Sequence, residues 1–167
     1  VNILTYATNR EPKGKEQSFD TPDEGEAALA PGSRDVIEIA KLRHGGGCND
    51  APGALLNLLR TASQGEAKLQ VRAAPELINI SDPNLFRYHM VFMHGRQDFH
   101  LTDAERKRLH DYLERGGTLL SDAICASKPF AEAFRREVAA AIPGHPFRRI
   151  PVTDPLFTTA YGGYDIR

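Results

Sequence analysis

Three polar stretches carry the side chains able to do chemistry, and each follows a run of residues suited to a strand. The first is Arg43 to Asp50, which follows the alternating run Asp35 to Leu42 and holds His44, Gly45, Gly46, Gly47 and Cys48. The second is His94 to His100, after the apolar run Met90 to Met93, with Arg96 and Asp98 inside it. The third follows Thr118 to Leu120 and holds Asp122 and Cys125. His94 titrates near neutrality, which suits a general base or a metal ligand; the plainer role is hydrogen bonding to loop backbone. Cys125, between a strand and a helix, suits a nucleophile whose thiolate is favoured by the helix start. The plainer role is that of a small buried hydrophobe. Asp122 either orients a histidine or caps the turn that follows it. Arg96 either grips a carboxylate or phosphate or pairs with Asp98 to shape the loop.

Stricter patterns are missing. The glycine stretch outlines a strand, loop and helix that could cradle an anion, but it is neither G-x-x-x-x-G-K-S/T nor G-x-G-x-x-G. Its other reading is a tight loop that brings backbone close to a neighbour. His44, Cys48, His94, Asp98, His100 and Cys125 are possible metal ligands drawn from separate loops, yet no pair has a recognised ligand spacing and no metal site is assigned. Cys125 lacks the glycine-flanked pattern of a nucleophile elbow. No cofactor is named by any motif.

The elements that must position these groups are written in local patterns. Thr102 and Glu105 form a capping box, Leu109, Tyr112 and Leu113 make a helical stripe, and Gly116 suits the left-handed position after the helix end. The strand, helix and strand from Met90 to Leu120 then form a βαβ unit with parallel strands. Upstream, Pro52 opens an expected helix capped by Asn49 or Asp50, with Leu55, Leu56, Leu58, Leu59 and Ala62 on its face. Lys68 to Ala73 and Leu77 to Ile80 read as short extended pieces broken by Pro75, and Ser81 to Arg87 as a turn burying Leu85 and Phe86. Downstream, Phe130, Phe134, Val138 and Ile142 define an amphipathic helix from Ser127 to Ala141, ended by Pro143 and Gly144. Phe147 to Val152 reads as a last strand and Asp154 to Thr158 as a turn. This order predicts an α/β fold: a three-layer sandwich with a mainly parallel sheet. The three polar loops then converge on the carboxyl edge of the sheet, where open α/β proteins place ligands.

Bulk properties narrow the function classes. With 167 residues and a net charge of −1, the chain can bury a core but carries no global field for nucleic acid or an anionic membrane. Arg135, Arg136, Arg148 and Arg149 bias the C-terminal third, without the interleaved aromatics that stack bases. No apolar run is long enough to span a bilayer. Two cysteines do not make a disulfide framework. Residues 1–34 read as an N-terminal arm and exposed connection, with a possible strand at Val1 to Thr8 and a helical turn near Glu24 to Leu29. Residues 35–167 read as the α/β domain, with Ala160 to Arg167 as a surface tail. The start at Val1 suggests a fragment of a longer protein.

The segments LRHGGGCNDAPGALLNLLR, DPNLFRYHMVFMHGRQDFHLTDAERKRLHDYLERGGTLLSDAICASKPFAEAFRREV and DPLFTTAYGGYDIR together resemble the bacterial domain of unknown function family 4159 (DUF4159). TYATNRE is similar to a segment ahead of that domain in some members. The resemblance implies a class I glutamine-amidotransferase-like (flavodoxin-like) fold and no established activity. It also implies parent proteins that are often exported or membrane-attached. Cys48 stands where the family usually has an aromatic. Ile124 replaces the first of two adjacent cysteines, and Cys125 matches the second. The glycine-flanked cysteine and His-x-Glu pair of true glutamine amidotransferases are missing, so that chemistry does not carry over.

The expected function is therefore binding of a small polar or anionic ligand, or of a partner segment of a larger protein, at the three-loop edge. His44, Gly45, Gly46, Gly47, Arg96 and Asp98 would line it. One alternative is a cysteine- or metal-dependent hydrolase with Cys125 as nucleophile, His94 as base and Asp122 or Asp98 as the orienting acid. Another is a structural or assembly domain of a larger exported protein.

Overall fold

The structure, a computed structural model, describes residues 36–64, 70–74 and 77–157. Its elements run β1 (Ile37–Arg43), α1 (Ala54–Gln64), β2 (Val71–Ala73), β3 (Ile78–Asn79), β4 (Met90–Gly95), α2 (Asp103–Glu114), β5 (Thr118–Ala123) and α3 (Lys128–Ala141). The described strands pair in parallel, in the order β2-β1-β4-β5. β3 also pairs with β1, at Leu42 and Arg43, beyond the stretch that β2 covers. Between β2 and β3 the partner offset grows by two residues, so the two pieces form one interrupted edge, as the Pro75 break predicts.

Parallel strands need cover on both faces. On one face, α1 places Leu55 and Leu59 against Ile39 and Phe92. On the other, α2 and α3 bury Leu109, Tyr112, Phe130, Phe134 and Val138 against Ala40, Leu42, Val91 and Met93. One helix, a sheet and two helices make the predicted three-layer α/β sandwich.

Several local readings hold in detail. Thr102 accepts from Glu105 N, and the Glu105 side chain accepts from Thr102 N, so the capping box is complete. Gly116 has φ +89 at the end of α2. The segment Pro83–Arg87 is a short 3-10 turn with Leu85 fully buried.

Other readings are corrected. α1 begins at Ala54, after turns through residues 47–53, so neither Asn49 nor Asp50 is its N-cap. Asp50 instead folds back over Gly47, donating its backbone N–H to Gly47 O at 3.0 Å. Leu56 and Leu58 are exposed, because a helix of 11 residues lying on this part of the sheet buries only the line through Leu55 and Leu59. The strand expected over Phe147 to Val152 does not form; the Phe147 ring instead lies tilted against Phe134, 6.1 Å between centroids, closing the core beside α3. The arm and connection over residues 1–34 and the tail from Ala160 lie outside the described residues.

Candidate functional site

Parallel pairing fixes where the strands end. Ile39 faces Met90, Met90 faces Thr118, and His94 faces Asp122, so the loops after β1, β4 and β5 leave from one edge. They are also bonded to one another. Backbone Arg96 N and Gln97 N both donate to Gly46 O, at 2.9 and 3.1 Å. Ser127 Oγ donates to Arg96 O at 2.5 Å, and Arg96 Nη2 lies 3.5 Å from Cys125 Sγ.

The glycines serve that closeness. A Cβ on Gly95 would overlap Gly46 O and come within 2.8 Å of the Phe130 ring. A Cβ on Gly46 would lie 2.8 Å from Gln97 O. Of the two readings of this stretch, tight backbone packing is the one its geometry displays. The helix start needed for an anion cradle is displaced to Ala54.

Two histidines clip the glycine loop to β4. Gly46 N donates to His44 Nδ1 at 3.0 Å, which leaves His44 Nε2 to carry the proton and donate to His94 O at 3.0 Å. Burial lowers the His44 pKa to about 4, and neighbouring positive groups add to this against its backbone hydrogen bond, so the ring is neutral. His94 is fully buried, and its Nε2 faces Cys48 O at 3.0 Å. A carbonyl only accepts, so Nε2–H donates and Nδ1 is left as an acceptor; Nδ1 is buried and has no partner among the described residues. Burial and Lys41 lower the His94 pKa, against the pull of the Cys48 carbonyl, Asp122 and Asp50.

Lys41 is the side chain that the sequence pattern did not single out. It shares the α1 face with Ile39 and is 7% exposed. Its Nζ reaches Asn49 Oδ1 at 3.5 Å, and no carboxylate pairs with it among the described residues. Burial lowers its pKa. Lys41 and His94 therefore reach consecutive residues of one loop, Asn49 and Cys48, each with hydrogen-bonding capacity unmet.

The remaining candidates divide. Asp122 is exposed beside His94 but makes no hydrogen bond to its ring, since Nε2 is on Cys48 and Nδ1 is bare. Cys125 is exposed, on a turn where it and Ala126 both have φ 54. Its sulfur faces Arg96, not His94, so nucleophile and base are not joined. The expected pairing of Arg96 with Asp98 is replaced: Asp98 Oδ1 takes Arg136 Nη2 at 2.9 Å. Arg136 also donates to Phe99 O and to Glu137, a carboxylate on α3 that is 1% exposed. Glu137 accepts in addition from Leu101 N and Arg106, and lies 3.3 Å from His100 Nδ1. Asp98 and His100 thus belong to a lattice that ties the β4 loop to α2 and α3. Among the described residues, no three His, Cys, Asp or Glu side chains are placed to share a metal ion. No helix among them is long and apolar enough to cross a membrane.

A family model described as "Domain of unknown function (DUF4159)" matches residues 38–163, which takes in every element above except the first residue of β1. No curated protein matches the chain.

Proposed function

The chain belongs to the DUF4159 family, and we propose that it is a binding domain for a small polar or anionic ligand at the carboxyl edge of its sheet. The observation that carries this reading is the buried Lys41 ammonium with no carboxylate partner among the described residues, set beside the unpartnered Nδ1 of buried His94. A buried lysine held by one long hydrogen bond is unfavourable, and an anion is its natural complement. Lys41 supplies the charge. His94 supplies an acceptor, and Arg96 a second, exposed cation at the rim. His44 and Gly45 to Gly47 hold the loops together beneath them.

The test is thermal stabilisation of the wild type, Lys41→Met and His94→Ala by a panel of small anions and sugars. The wild type gains several degrees with at least one compound, and Lys41→Met gains none with the same compound. A wild type indifferent to the whole panel refutes the reading.

A second reading, Cys125 as nucleophile, is favoured by its exposure and its left-handed turn, a strained conformation for a residue with a Cβ. It requires His94 to turn toward Cys125 when substrate binds. Iodoacetamide at neutral pH labels Cys125 before Cys48 if this reading holds; preferential labelling of Cys48 removes it.

A further inference from the structure

We infer that the ligand of this edge bears a hydrogen-bond donor next to its negative charge, and that Lys41 and His94 together select for that combination. The inference rests on the proposed anion-binding role and makes it specific. Lys41 has three donors and, among the described residues, a single side-chain acceptor, Asn49 Oδ1 at 3.5 Å. Asn49 is exposed, and an incoming oxyanion takes the place of its amide oxygen on the ammonium.

The His94 side is the mirror image. Its Nε2–H is committed to Cys48 O, and its Nδ1 lone pair is buried without a donor. A bare anion such as acetate or sulfate satisfies Lys41 and leaves Nδ1 unmet. An anion that keeps a proton, such as a 2-hydroxycarboxylate or hydrogen phosphate, satisfies both.

Calorimetric titration of the full chain at neutral pH and fixed ionic strength decides the matter. Two matched pairs serve as probes: glycolate against acetate, and phosphate against sulfate. The wild type binds the proton-bearing member of one pair roughly 5- to 10-fold more tightly, the range that one hydrogen bond supplies. Which pair shows the difference separates a carboxylate ligand from a phosphate. Lys41→Met abolishes that binding. His94→Gln puts an amide donor near the Nε2 position, keeps a bond to Cys48 O and deletes Nδ1; it retains affinity but equalises the pair. Equal affinities in the wild type overturn the inference and leave the anion site standing, as does a preference that survives in His94→Gln. Failure of all four probes to bind the wild type overturns both. The wild-type comparison needs no variant to fold.

Discussion

Glu137 offers the sharpest test of how the β4 loop is held. Its carboxylate is 1% exposed and gathers Leu101 N at 3.3 Å, Arg106 Nη2 at 2.8 Å and Arg136 Nε at 3.0 Å. Glu137→Ala strips all three donors of their acceptor. The two guanidiniums reach solvent and rehydrate, so no stability is counted for them. The Leu101 N–H sits beside a buried side chain, and leaving it unpaired costs about 1–3 kcal/mol. The lost methylene burial adds about 1 kcal/mol. The sum, about 2–4 kcal/mol, lowers the melting temperature by roughly 6–12 °C in a domain of this size.

The acid dependence follows from the sign of the pKa shift. Burial alone would raise Glu137, but the hydrogen bonds from Arg106, Arg136 and Leu101 N outweigh it and hold its pKa below the ordinary glutamate value of 4.5. A carboxyl depressed in the folded state contributes stability above its unfolded pKa and loses it as pH falls through the folded one. The gap between wild type and Glu137→Gln is therefore full at pH 7 and closes below pH 4.5. Thermal melts across pH 3–7 measure it. A Glu137→Ala melting temperature within 2 °C of wild type, or a gap that widens in acid, refutes the assignment of this residue as the anchor of the loop.

Two further outcomes are expected. Gly95→Ala drives a methyl into Gly46 O and the Phe130 ring, so the β1 and β4 loops part and stability falls by about 3 kcal/mol or more, read by chemical denaturation. His44 has a folded pKa of about 4, against 6.5 for the free group, so the unfolded chain binds more protons between those values. Stability then falls by roughly 2–3 kcal/mol as pH drops through that window, and His44→Gln flattens the slope by about that amount.

The parts of this fold that were legible are those written in local chemistry. The Thr102–Glu105 box, Gly116 and the Phe130, Phe134, Val138 stripe each name their own geometry, and β4 and β5 follow from apolar runs that a two-sided sheet requires. The start of α1 was not legible, because Asn49, Asp50 and Pro52 are equally good residues for a turn. Here the turn wins, and Asp50 closes on Gly47. Lys41 was hidden for a related reason. A lysine late in an alternating strand reads as solvated; here it is buried and bonded to Asn49 on the loop that follows, a tertiary contact. The pairing of Asp98 with Arg136 spans 38 positions, and nothing in the spacing announces it.

Within β1 and β4 the polar side chains of the edge, Lys41 and His94, lie on the α1 face, while His44 and Ser121 are the polar groups of the opposite face. On the α1 side, one pleat separates Ile39 from Lys41 and Phe92 from His94; on the other side, Ala40, Leu42, Val91 and Met93 stay apolar over the same stretch. Solvation of a fraying end would have exposed both faces, yet Lys41 and His94 are buried. Placing a lysine there without an acid works against stability, since an apolar side chain of similar length would avoid the desolvation. Lys41→Met should therefore melt higher than wild type in the ligand-free state, by about 1–2 kcal/mol, while losing the stabilisation that an anion confers. Stability and binding moving in opposite directions is the signature of a residue kept for its ligand. A Lys41→Met variant that melts lower than wild type, with no anion present, would assign Lys41 to the scaffold and remove the charge on which the proposed site depends.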